Sequence, residues 1–114
     1  MTPVRQWDIV RFRIRPQDRD LHPGIVLSGE EWCGSPHTTN LNVLPCSKRV
    51  PGDALKPHQV MLNGADGLEF PSAADCRFFH IIKKEGVSEL IGRVSLERRR
   101  AIGRKINEVL RLQL

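Results

Sequence analysis

No stretch of the sequence approaches the run of about 20 apolar residues that a membrane helix needs, so a soluble chain without a membrane partner is expected. The opening residues, Met1-Thr2-Pro3-Val4-Arg5-Gln6-Trp7-Asp8, lead into arginines where a secretory signal would carry an apolar segment, and the expected location is cytoplasmic. Cysteine is scarce. Cys33, Cys46 and Cys76 are odd in number and widely spaced, which argues against a disulfide framework and for reduced thiols. Cys33 with His37 and Cys76 with His80 stand at Cys-x-x-x-His spacing, but the tight Cys-x-x-Cys knuckle of structural zinc is missing, so neither metal nor cofactor is expected. The sequence also lacks internal repeats and low-complexity tracts. It offers a single good helix where a helix-turn-helix regulator would need two.

What is present amounts to one domain over residues 1–114, with 39% hydrophobic and 27% charged residues, a globular mixture. The net charge of +5 is concentrated. Residues 90–114 hold seven basic groups against Glu97 and Glu108 and account for all of it, while residues 1–89 balance at eleven of each sign. A basic element of this kind suits a polyanion such as RNA or DNA, with a solvated helix face as the plainer alternative.

Val10, Phe12 and Ile14 alternate with Arg11, Arg13 and Arg15, which predicts a half-buried strand over residues 8–15 with a basic outer face. Two prolines make residues 16–23 a loop, residues 24–28 read as a short buried strand, and residues 29–39 as a polar excursion. A third strand is expected over 40–46, a second long loop over 47–58, and a short strand over 59–62 closed by a tight turn at Asn63-Gly64. Residues 77–82 carry aromatic and β-branched side chains suited to a strand, and 90–94 suit one more. Of the adjacent Phe78 and Phe79, strand alternation sends one inward to the core and the other outward. Ser95 is placed to cap a final helix, with Glu97 in its first turn. Ile102, Ile106, Val109 and Leu110 form its apolar side, and Arg100, Arg104 and Arg111 a basic stripe. The expected fold is mainly β with a C-terminal α-helix: a small barrel or strongly bent sheet with the helix packed on it.

Four segments in this order resemble the MazF and PemK family of toxin endoribonucleases from bacterial toxin–antitoxin systems. Asp8-Ile9-Val10 resembles the opening strand, which in the family usually follows a glycine where this chain has Trp7. His22-Pro23-Gly24-Ile25-Val26-Leu27-Ser28 is similar to the family's Arg-Pro-x-x-Val-Leu-Ser, and residues 42–47 to its Val-x-Pro-x-Thr/Ser strand end. Ile91-Gly92-Arg93-Val94-Ser95 is similar to its Ile-Gly-Arg-Leu-Ser entry to the last helix. No single segment is specific; their order and spacing carry the signal.

The resemblance implies an SH3-like barrel of the plasmid-maintenance-toxin type, a homodimer, and metal-free cleavage of single-stranded RNA, messenger RNA foremost, through a 2′,3′-cyclic phosphate. It also implies a cognate antitoxin protein as partner. The family's catalytic Arg and Thr/Ser positions fall on His22 and Ser47, so these are the candidate catalytic residues. His22 departs from the pattern: an arginine mainly holds the phosphorane's charge, whereas an imidazole is the more usual general base or acid. Arg19, Lys48 and Arg49 could supply the missing positive charge. They join the candidate RNA-binding set with Arg77, which sits after Asp75-Cys76 where the family has an acidic residue and Gln, and with Trp32, a loop aromatic suited to stacking on a base. The alternative is a weak or inactive barrel of the same type that binds nucleic acid or a protein.

Overall fold

The computed structural model describes residues 3–50 and 52–114, so Met1, Thr2 and Pro51 lie outside it. The elements are β1 (Asp8–Phe12), β2 (His22–Val26), α1 (Glu30–Gly34), β3 (Asn40–Lys48), β4 (Gln59–Leu62), β5 (Ser72–Asp75), β6 (His80–Lys83), β7 (Val87–Arg93) and α2 (Leu96–Leu110). Single 3-10 turns occupy Gly64–Asp66 and Lys84–Gly86. The strands pair antiparallel in the order β4-β5-β3-β2-β1-β7, with β6 also on β3. The long strand β3 is the hinge of this arrangement. It pairs with β6 over Asn40–Val43, with β2 over Val43–Pro45, and with β5 over Cys46–Lys48.

The central strands are apolar on both faces, which is why Ile25-Val26 reads as an unbroken run. One core collects Ile9, Ile25, Leu44, Val60, Leu62, Ala74, Val94 and Ile102, and α2 lays Ala101, Ile106 and Val109 against it. A second collects Val10, Phe12, Val26, Leu41, Val43, Ile82 and Val87, with Cys33 of α1. Gly24 makes the second core possible. A β-carbon there would overlap Val43 and stand 2.6 Å from the Phe12 ring. Gly24→Ala should therefore lower stability by about 1–3 kcal/mol, the usual cost of overpacking, measured as a shift in the denaturant midpoint. An unchanged midpoint would mean that Phe12 repacks freely.

Several elements differ from the sequence reading. β1 ends at Phe12 because Arg15 and Asp18 form a turn, Asp18 Oδ2 accepting from the Arg15 backbone N–H at 3.1 Å. His22 opens β2 instead of closing a loop. Residues 30–34 form a one-turn helix and Ser72–Asp75 an unexpected strand. The Asn63-Gly64 pair is no hairpin turn: Asn63 caps the 3-10 turn, its side chain accepting from Ala65 N–H while Asp66 accepts from Asn63 N–H. Asp66 is buried and ties this turn to α2, accepting from Ser95 N–H at 3.0 Å and facing Arg98 Nε at 3.4 Å. Gly92 lies so close that any side chain would overlap the Asp66 carbonyl, which explains the glycine ahead of the helix. Trp7 sits at φ 75°, the left-handed backbone that favours glycine, where its N–H donates to Val26 and its carbonyl accepts from Val94.

Ser95 caps α2 as expected, its hydroxyl accepting from Arg98 N–H. Among the described residues, no helix is long and apolar enough to cross a membrane.

Candidate nucleic-acid interface

Pro23 and Pro45 have no N–H to donate, and the β2–β3 ladder ends where Gly24 faces Pro45. From Cys46 on, β3 pairs with β5 instead; because β2 and β3 run antiparallel, His22 at the start of β2 and Ser47 near the end of β3 lie toward the same end of the two strands. His22 is half-buried. Its ring packs 6.2 Å from the Phe12 ring centroid at 50°. Ser47 is exposed beside Ala73 of β5 and lines a cavity of about 390 Å³ with Lys48, Arg49, Lys56 and Gln59.

The flanking cations are held unequally. Lys48 Nζ stands 4.1 Å over the Phe70 ring, a cation–π contact that leaves the ammonium at the surface. Arg49 is half-buried and engaged, donating to Met61 Sδ and to the Asp53 carbonyl. Arg19 is exposed in the β1–β2 connection and makes no side-chain hydrogen bond or ion pair among the described residues. Trp32, 59% exposed on α1, opens onto a separate cavity of about 250 Å³ with Ser35, His37 and Asn40. The structure therefore groups Ser47, Lys48 and Arg49 around one cavity, sets His22 against Phe12 at the start of β2, and leaves Arg19 and Trp32 apart from them.

Arg77 belongs to a second chain of contacts. It holds Asp75 through Nε at 3.1 Å and Nη2 at 2.8 Å, and lies 5.7 Å from the Phe78 ring centroid. Phe78 meets His80 edge-on at 5.7 Å, and His80 packs 6.2 Å from Phe12, which returns the chain to His22. His58 approaches Asp75 at 3.9 Å. Partial burial pushes the Asp75 carboxyl up, but the Arg77 hydrogen bonds outweigh it and hold the group below the ordinary carboxylate range. Asp75 thus stays anionic at neutral pH and fixes Arg77 beside Phe78. Both Phe78 and Phe79 are exposed, against the expectation that one would enter the core, because they precede β6 and escape its alternation. His58 had no signal in the sequence beyond its residue type, and His80 only its spacing from Cys76; the pairing of β4 with β5 and of β6 with β3 brings them to this surface.

The cysteines are placed away from chemistry. Cys33 donates its S–H to the Ser28 carbonyl at 3.2 Å, while burial pushes the Cys76 thiol up to about 11 and raises that of Cys46 as well. None is a thiolate nucleophile at neutral pH. Among the described residues, no three His, Cys, Asp or Glu side chains are grouped to hold a metal ion.

No family model and no curated protein matches the chain. Solved structures match it in fold along nearly its whole length. An endoribonuclease in complex with its cognate antitoxin from a mycobacterial species aligns over 100% of this chain and 99% of that one, with a TM-score of 0.76 and 14% identity. The Mycobacterium tuberculosis toxin MazF-mt6 aligns over 94% of this chain and 99% of that one, with a TM-score of 0.74 and 23% identity. A MazE-MazF structure from Deinococcus radiodurans aligns over 99% and 100%, with a TM-score of 0.75 and 15% identity. The chain has the fold of the MazF toxins, a mainly β domain with a C-terminal helix.

Proposed function

We propose that the chain is a toxin endoribonuclease of the MazF type, acting on single-stranded RNA in the cytoplasm and restrained by an antitoxin protein. One observation supports the reading: on this fold, His22 opens β2 and Ser47 lies near the end of its antiparallel neighbour β3, with the exposed Lys48 next to it. Such a site suits phosphodiester transfer. The ribose 2′-oxygen forms a bond to the adjacent phosphorus as its proton passes to a base, and the bond from phosphorus to the 5′-oxygen breaks as that oxygen takes up a proton. His22 serves one of these proton transfers. The Ser47 hydroxyl donates a hydrogen bond to a non-bridging oxygen, and the Lys48 ammonium holds the negative charge that builds on the pentacoordinate phosphorus. No step uses a metal ion or another cofactor. The test is incubation of the purified protein with a long RNA in EDTA. Discrete fragments are expected; intact RNA in both EDTA and magnesium would leave the non-catalytic binding module as the better account.

A homodimer is part of the proposal. Ile81 is 71% exposed and Leu90 49% exposed on β6 and β7, and with Phe79 they leave apolar surface that a second copy would cover. Light scattering at micromolar concentration should report twice the chain mass of 13.0 kDa. A monomer at that concentration would rule out an RNA site shared between subunits.

A further inference from the structure

Lys48 lines two cavities. One contains Ser47; the other, of about 420 Å³, is bounded by Arg11, Pro23, Lys48, Glu69, Phe70 and Glu89. The two cavities adjoin, since Lys48 lines both. Its volume suits one nucleoside, and its walls combine what a base needs. Phe70 is 54% exposed and offers a flat ring with the Lys48 ammonium 4.1 Å from its centroid. Two carboxylates, Glu69 and Glu89, supply acceptors. Arg11 Nε holds Glu89 Oε1 at 2.7 Å, which orients that carboxylate and leaves Oε2 without a partner among the described residues.

We propose, on the endoribonuclease reading above, that this cavity is a base-selecting pocket that takes a guanine of the RNA next to the cleaved phosphate. The choice follows from donors and acceptors. Guanine alone among the four bases presents two adjacent donors, N1–H and N2–H, to one carboxylate, with the O6 acceptor beside them for a cation. Glu89 accepts from the two donors, Arg11 donates to O6 through a guanidinium N–H other than Nε, and Phe70 stacks on the ring. Uracil has one donor on that edge, and cytosine and adenine present an amino group next to a ring acceptor that a carboxylate repels. Pairing Glu89 with Arg11 also explains why an acidic group can sit in a site for a polyanion without opposing it.

The probes are four fluorescein-labelled uridine decamers carrying guanine, adenine, cytosine or uracil at the centre, with binding read by anisotropy and cleavage by gel. The wild-type protein should bind the guanine decamer at least tenfold more tightly than the uracil one. Phe70→Ala should weaken binding to the guanine decamer about fivefold to a hundredfold, as loss of one base–aromatic stack does elsewhere. Glu89→Gln should abolish the guanine preference, bringing the guanine and uracil decamers to similar affinity, while Glu89→Asp should keep part of the preference. Equal affinity for all four decamers in the wild type, or a preference that survives Glu89→Gln, overturns the pocket and leaves the endoribonuclease reading standing. Failure of the wild type to bind or cut any of the four, and of long RNA as well, overturns both. A fall to half the mass by light scattering in Phe70→Ala would assign Phe70 to a subunit contact and also overturn the pocket.

Discussion

His22→Ala is expected to lower the RNA cleavage rate by about a hundredfold or more, the range seen when a general acid or base is removed, while the domain stays folded. The imidazole is half-buried against Phe12, and Phe12 keeps Val43 and the other residues of its core, so the loss of the ring should cost little stability. A thermal melt on the same sample separates the two effects. His22→Arg is the informative partner variant. An arginine can hold phosphorane charge but is a poor proton carrier, so a His22→Arg protein that matches the wild type would assign this position to charge stabilisation. A His22→Arg protein as slow as His22→Ala would assign it to proton transfer. Wild-type cleavage by a folded His22→Ala protein would remove His22 from the site.

The second large effect is expected at the cations. Two basic surfaces compete for RNA: Lys48 and Arg49 beside Ser47, and the exposed stripe of Arg100 and Arg104 on α2 with Arg111 at its end. Catalytic groups must come within hydrogen-bond reach of the cleaved phosphate, whereas a distant stripe can contact only flanking nucleotides. Lys48→Ala should therefore cut kcat by about tenfold to a thousandfold, the scale of losing one charge-stabilising group. Neutralising all three helix arginines should leave kcat close to wild type, weaken binding mainly at low salt, and flatten the salt dependence of affinity. Arg49 is the less clean probe of the pair, because its guanidinium also ties Asp53 to Met61 and its removal loosens that loop. If the helix variant abolishes cleavage while Lys48→Ala is silent, the active site lies on α2 and the strand-end site is misplaced.

The parts of the fold that were legible in the sequence are those whose residues carry their own local instructions. Ser95, Glu97 and the spacing of Ile102, Ile106 and Val109 define α2 without reference to the rest of the chain. The strand at Gln59–Leu62 was legible for the same reason. β5 was not, since Ser-Ala-Ala-Asp has neither β-branched nor aromatic residues, and it becomes a strand only because β3 and β4 flank it. The five residues of α1 are too few to show a helical period. Trp7 shows a finer limit: a tryptophan gives no hint of left-handed backbone, and the position is explained only by the hydrogen bonds to Val26 and Val94 on either side of it.

For the site, single residues could be read but their company could not. His22, Ser47, Lys48 and Arg49 stood out by type and by resemblance to a known pattern. That Ser47, Lys48 and Arg49 share a cavity, with His22 toward the same end of the neighbouring strand, depends on the antiparallel pairing of β2 with β3 and of β3 with β5, which a sequence does not display. The Asp66 clasp on Ser95 spans 29 residues, and the contacts of Phe12 with both His22 and His80 join three strands. Trp32 illustrates the opposite outcome, a residue conspicuous in the sequence that folds onto a surface apart from the rest. Long-range pairing decided both cases.

The central claim is that this strand end cleaves RNA by attack of the ribose 2′-hydroxyl, and the nature of the new ends tests it most directly. The fragments released from a defined RNA in EDTA should be analysed by mass spectrometry. The account predicts 2′,3′-cyclic phosphate on one side of each cut and a free 5′-hydroxyl on the other, with no cut where the nucleotide before the phosphate is replaced by its 2′-deoxy form. Fragments carrying 5′-phosphate and 3′-hydroxyl ends, or cleavage that persists at the 2′-deoxy position, would contradict it.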